Sequence, residues 1–247
     1  MIKFFRKLRY NLISENKTSK YLKYAIGEIA LIIIGILLAL QISEWNQNGK
    51  NKREERKLLS ALQNEFLQNK EDIIEIKAHY VEIVKANNQL MKLIGNSESN
   101  LTTINIDSLM SVSINIDNYI PSNYVLNNMI STAKLDLITS EKLRVLLYNW
   151  TQEIGQKEDA YNMLYKYFME SLIPYLSKNT SIKSIDYYTP NGFISEPSKL
   201  QYNPIKMFNS LEFENHVDNY FYTVTTFIES LTKLENVINQ ILIEAND

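Results

Sequence analysis

Glu28 is an acid inside an apolar run. It lies about one turn into residues 24–45, YAIGEIALIIIGILLALQISEW. A carboxylate in hydrocarbon costs several kcal/mol unless it is protonated, paired or able to reach the headgroups. Three roles are open to it. It can snorkel towards the interface or pair with Lys20 or Lys23. It can join a helix–helix contact: Gly35 and Ala39 follow it by 7 and 11 residues, which puts all three on one helix face. Gly35-xxx-Ala39 is then a small-residue pair that lets two backbones approach. It can also serve as a protonatable group on a proton path.

Other chemistry-bearing residues are scattered. His79 and His216 sit beside apolar stripes rather than in a cluster, and read as bundle-edge residues, not metal ligands. Adjacent acids such as Glu54/Glu55 and Glu71/Asp72 diverge by ~100° on a helix and cannot act as one acid/base pair. Tyr187-Tyr188 offers a partner or ligand surface, with core packing as the plainer reading. There is no cysteine, which excludes disulfides and thiolate chemistry. No Gly-rich phosphate loop, HExxH, GxSxG or EF-hand loop occurs. No catalytic set emerges, so neither an enzyme nor a cofactor or metal site is expected.

The elements that must carry these residues begin with the apolar run. Residues 29–40 are apolar apart from Gly35, and 25–42 add only Glu28 and Gln41 as polar side chains. A helix of that length crosses a bilayer core of ~30 Å at ~1.5 Å per residue. Tyr24 and Trp45 mark its edges as interface anchors. Residues 1–23 carry Lys3, Arg6, Lys7, Arg9, Lys17, Lys20 and Lys23 against Glu15 alone. Apolar residues interleave with the first of these, as in a short amphipathic helix on an anionic leaflet, or as in a basic flank that only sets topology. The run is longer than a signal-peptide core and has no small-x-small cleavage pair, so it reads as an uncleaved anchor. Seven Lys/Arg precede it and five follow (Lys50, Lys52, Arg53, Arg56, Lys57), which favours an inside N-terminus.

Three amphipathic stripes follow. Leu62, Phe66, Asn69, Ile73, Ile76, Tyr80, Ile83, Asn87, Leu90 and Ile94 recur in steps of four and three, an a/d seam. Its two asparagines are expected to fix register or to pair across a helix interface. Gly95-Asn96 is a stop signal, and residues 46–49 are a hinge candidate. A short helix is expected near 107–113, and another opening at Pro121 and running to about 131. The second seam is Leu143, Leu147, Trp150, Ile154, Lys157, Tyr161, Leu164 and Phe168, with Pro174 expected to bend or stop its helix. Residues 177–206, with Pro190, Gly192, Pro197 and Pro204 and no period, read as a long irregular loop. The third seam runs from Phe213 to Ile241, with Asn209 and Glu212 as a capping box. The expected fold is all-α: a transmembrane helix running into a long amphipathic helix, packed with two further long helices as an antiparallel bundle. The expected domains are a basic segment 1–23, an anchor 24–45 and a bundle 46–247.

Two stretches resemble DUF6090, a Bacteroidota family of single-pass membrane proteins of unknown function. Residues 24–46 are similar to its anchor signature, YAxGEIxLVxIGIxIALxINxWN. Residues 121–138 and Leu143-Arg144 are similar to a segment reading roughly LxxSGKLxLIxxxxLR, with Thr132 and Ala133 in place of Ser-Gly. A backbone conformation special to glycine thus loses its usual residue there. The resemblance implies a small membrane protein, carries over no activity, and gives Gly27-Glu28 more weight than a chance polar intrusion.

The expected function is a non-catalytic, membrane-anchored scaffold that self-associates, in the bacterial inner membrane with its bundle in the periplasm. The alternatives are an extracytoplasmic ligand sensor, or an accessory subunit of a proton-driven complex using Glu28. Expected partners are membrane lipid, a second copy and another membrane protein. A net charge of −2 gives no reason to expect nucleic acid.

Overall fold

The computed structural model describes residues 18–96, 104–190, 192–200 and 202–246. Lys3, Arg6, Lys7 and Arg9 lie outside them. The fold is all-α, with no strand among the described residues. Two compact units divide it, Met1–Lys57 and Leu58–Asp247. Residues 46–57, counted with the bundle by sequence, group with the anchor.

Helix α1 (Thr18–Leu93) begins in the first unit. Lys20, Lys23 and Tyr24 lie on its first turns, and residues 46–49 are helical rather than hinged. The helix is long and apolar enough to cross a membrane, and none of its apolar window is buried within the chain.

The second unit is built on the other half of α1, helix α4 (Glu141–Tyr167) and helix α8 (Leu211–Glu244). Burial follows the stripes. Leu62, Phe66, Ile73, Tyr80 and Ile83 on α1 are fully buried, as are Val224, Phe227, Leu231, Leu234, Ile238 and Ile241 on α8. Each buried aliphatic or aromatic side chain contributes ~1.5–3 kcal/mol of transfer free energy.

Direction follows from the pairs across the seams. Lys77 pairs with Glu235 at 2.5 Å, Tyr80 packs edge-on against Phe227, and Gln63 donates to Asn246. Tyr161 meets Phe227, and Lys142 meets Glu244. Helices α1 and α4 are therefore both antiparallel to α8 and parallel to each other, with Phe66 against Trp150. Three helices cannot all be mutually antiparallel. The connection between α1 and α4 carries the chain back to the starting end.

That connection holds α2 (Ile106–Ser113), an extended segment at 114–123, α3 (Tyr124–Ser131) and a single 3-10 turn at Leu135–Leu137. Helix α1 stops where Gly95 takes φ +75°. Helix α3 starts three residues after Pro121, not at it, because 121–123 still belong to the extended segment. It ends in a Schellman turn: Lys134 N–H donates to Met129 O at 2.9 Å, and Ala133 N–H to Ile130 O at 3.2 Å. Ala133 sits at φ +54°, so the glycine-type conformation persists without a glycine. A Cβ there costs ~1–2 kcal/mol, part of which glycine returns in unfolded-chain entropy. Ala133→Gly should therefore stabilise the bundle by about 1 kcal/mol, read as a higher urea midpoint at unchanged slope.

Pro174 does not stop its helix. A π-helical turn, Phe168–Leu172, precedes it, and the helix resumes as α5 (Ile173–Asn179). The wider turn accommodates a ring that cannot donate to the carbonyl one turn back. The expected loop 177–206 contains two short helices, α6 (Ile182–Tyr187) and α7 (Pro204–Phe208). Asn209 belongs to the end of α7, where its side chain donates to Ile205 O at 2.9 Å. The N-cap of α8 is Ser210, so the capping box at Asn209 does not form.

Candidate functional site

The segment 113–125 explains the polar residues inside the apolar seams. It descends along α1 as α1 ascends. Asn87 Nδ2 and the Tyr220 hydroxyl donate to Ser113 O at 3.3 and 3.0 Å. His79 Nε2 donates to Asn115 O at 2.6 Å, which fixes the imidazole proton on that nitrogen. The Tyr80 hydroxyl donates to Asp117 O at 2.7 Å and accepts from Asp117 N–H at 3.3 Å. The Tyr119 hydroxyl donates to the backbone carbonyl of Asn69 at 3.0 Å. The Asn69 side chain grips Ser122 with both ends, donating to its carbonyl at 2.9 Å and accepting from its N–H at 2.8 Å. Asn69 thus pairs with this segment, a strap along α1, rather than with another helix, whereas Asn87 reaches the last residue of α2.

Helix α4 holds the other side. Lys157 is 1% exposed, and its Nζ donates to Tyr119 O at 2.7 Å, Asn118 Oδ1 at 3.2 Å and Glu158 Oε2 at 2.6 Å. Trp150 Nε1 donates to Asn123 Oδ1 at 2.7 Å. Because Asn123 is so engaged, it gives α3 no side-chain cap. Glu65 on α1 caps it instead, accepting from Val125 N–H at 3.1 Å and from the Ser122 hydroxyl at 2.8 Å. An extended segment has no ladder of its own, and its buried backbone groups need partners. Here side chains supply them. Burial pushes the Tyr80, Tyr119 and Tyr220 phenols well up, so they remain protonated donors at neutral pH.

Between the strap and α1 lies an open cleft of about 490 Å³ lined by Asp72, Glu75, His79, Asn115, Asp117 and Tyr119, among others. Among the described residues no group of three His, Cys, Asp or Glu side chains is placed to hold a metal ion. His216 stands at the other end of the bundle from Glu244. Its Nδ1 is 2.9 Å from the Tyr167 hydroxyl and its ring is 4.5 Å from that of Tyr175. Burial lowers its pKa, with Glu212 acting in the opposite direction. Both histidines lie at the bundle edge. Tyr187 and Tyr188 meet edge to face at 5.0 Å at the end of α6, both partly exposed.

In the anchor unit, Gly35 has no atom within 4 Å of where a Cβ would stand. Ile29, Leu31, Ile36 and Leu40 are 55–67% exposed, and Trp45 is 79% exposed. Sequence spacing set Lys157 on a stripe but could not say what it holds. Glu65 and the strap carried no sequence signal beyond the absence of a period. Comparison of the chain with family models, curated proteins and solved structures finds no match.

Proposed function

We propose that the protein is a membrane-anchored, non-catalytic helical interaction protein, and that it self-associates through its span. What carries the reading is the contrast between its two apolar surfaces. The bundle stripes are closed inside the chain, whereas the apolar run of α1 is exposed on every side. A surface of that kind needs lipid or another helix. The Leu62–Leu90 seam is filled within the chain, and outside it α1 exposes only the separate side chains Leu67, Ile74 and Val81 in the bundle. The Glu28–Gly35–Ala39 face remains, and small residues there favour close backbone approach. The likeness of residues 24–46 to the DUF6090 anchor supports the same reading, as does the basic residue excess before the span for an inside N-terminus.

The test begins with alkaline carbonate washing of membranes from cells expressing the full chain. Retention in the pellet is expected; release into the supernatant overturns the anchor. Mass measurement of the protein in mild detergent should then give an oligomer that Gly35→Leu dissociates. A monomer at all concentrations overturns self-association.

A further inference from the structure

We propose that the three helical turns following the span, residues 46–57, form a basic collar that docks on anionic phospholipid headgroups; this rests on the anchoring reading above. Lys50, Lys52, Arg53, Arg56 and Lys57 are all exposed. At ~100° per residue they fall within an arc of about 160°, together with Trp45 and Gly49. Glu44, Gln47, Asn51, Glu54 and Glu55 fall on the rest of the circumference. Glu44 and Glu55 lie across the helix from the arc, while Glu54 borders it and lines a groove with Lys50, Arg53, Arg56 and Lys57.

The side chains of the collar lean the right way. On an α-helix the Cα–Cβ bonds tilt towards the N-terminus, which here is the side of the apolar run. The two arginines exaggerate this. Arg53 Nε donates to Gly49 O at 3.2 Å and Arg56 Nε to Lys52 O at 3.3 Å, each folded back one turn towards the span. Each guanidinium has five donors and commits its Nε in this way. A shallow groove of about 300 Å³ lies between Trp45, Gly49, Lys52 and Arg53. Gly49 opens it, since nothing stands within 4 Å of the missing Cβ.

A phosphodiester suits this groove: guanidinium offers forked hydrogen bonds to its oxygens, and lysine a mobile point charge. The source is argued from continuity. Trp45 is the interfacial residue that closes the apolar run, and Lys57 lies only ~18 Å further along the axis at 1.5 Å per residue. Long basic side chains beside a span reach back to the headgroup layer, and basic residues this close to a bilayer are drawn to anionic lipid.

The chain contains two tryptophans, and Trp150 is fully buried in the bundle. Quenching by lipids brominated on their acyl chains therefore reads Trp45. The full-length protein is reconstituted in phosphatidylcholine bilayers carrying a minority of phosphatidylglycerol, with bromine on one lipid or the other. Quenching per brominated lipid should be at least about twofold greater for phosphatidylglycerol. The preference should disappear in high salt and in Lys52→Gln/Arg53→Gln/Arg56→Gln, while quenching by phosphatidylcholine persists. Equal quenching by the two lipids at low salt overturns the collar and leaves the anchor standing. A preference that survives the triple substitution also overturns it, as does a salt-sensitive dimer that forms through these residues in neutral lipid. No quenching by either lipid overturns the anchoring reading, and this inference with it.

Discussion

Asn69→Leu should destabilise the bundle by about 2 kcal/mol, although it places a leucine at an a/d position of an otherwise apolar seam. If Asn69 faced another helix, leucine would fill the seam and stabilise it. The structure predicts the opposite sign. Asn69 is fully buried, and its two side-chain hydrogen bonds satisfy the N–H and C=O of Ser122. Leucine removes both partners; Ser122 itself is exposed, so each lost hydrogen bond costs its net ~0.5–1.5 kcal/mol rather than a full desolvation penalty. For a bundle of this size about 2 kcal/mol corresponds to a fall in Tm of roughly 4–8 °C. Asn88→Leu is the control, because Asn88 is exposed and donates only to Val84 O within its own helix. It should change stability by less than about 0.5 kcal/mol. Thermal unfolding of the full chain in detergent, followed by far-UV circular dichroism, reads both. A rise in Tm for Asn69→Leu would show that the strap does not depend on that side chain.

Lys157→Met should cost more, about 3 kcal/mol, because here both the ammonium and its main partner are buried. Methionine retains most of the aliphatic stem, so the change isolates the ammonium rather than opening a large cavity. What is lost is a charge-assisted hydrogen bond to the carbonyl of Tyr119, a buried residue, and another to Asn118. The ion pair with Glu158 contributes little, because Glu158 is about half exposed and solvent screens it. Glu158→Gln should therefore shift stability by no more than about 1 kcal/mol. A large effect of Glu158→Gln with a small one for Lys157→Met would reverse the assignment. Asn69 and Lys157 hold the same few residues of the strap from opposite helices. The double variant should accordingly lose less than the sum of the single losses, since a strap already released has no second grip to lose.

The division between closed and open surfaces follows from the same architecture. Side chains of α1, α4 and α8 are spent on closing the bundle and clamping the strap. The longest continuous apolar surface left exposed among the described residues is the apolar run, whereas the bundle exposes single apolar residues such as Leu67, Ile74 and Val81. The acidic cleft at Asp72, Glu75 and Asp117 is a by-product of the strap's path along α1, and His79 within it is committed to the carbonyl of Asn115.

The sequence by itself determined the long elements. A period of 3.6 over thirty residues leaves one solution for which side chains are buried, and Phe213, Val217, Tyr220, Val224 and Phe227 are buried as their spacing requires. An unbroken apolar run likewise declares its length and its need for an apolar environment. The helix end at Gly95 was legible because a stop signal is local, and Gly95 takes φ +75° there. Tertiary structure alone decided the rest. An aperiodic segment has no face, so the path of 113–125 depends on which distant side chains meet its backbone. Lys157, Asn69 and Asn87 looked like polar exceptions on apolar stripes, and Glu65 like one more helix carboxylate. Their roles exist only once the strap is laid between α1 and α4, where every buried N–H and C=O needs a partner that local sequence cannot name. The order of the helices was decided in the same way. Packing two of them against α8 makes α1 and α4 parallel, and only a long returning connection allows that.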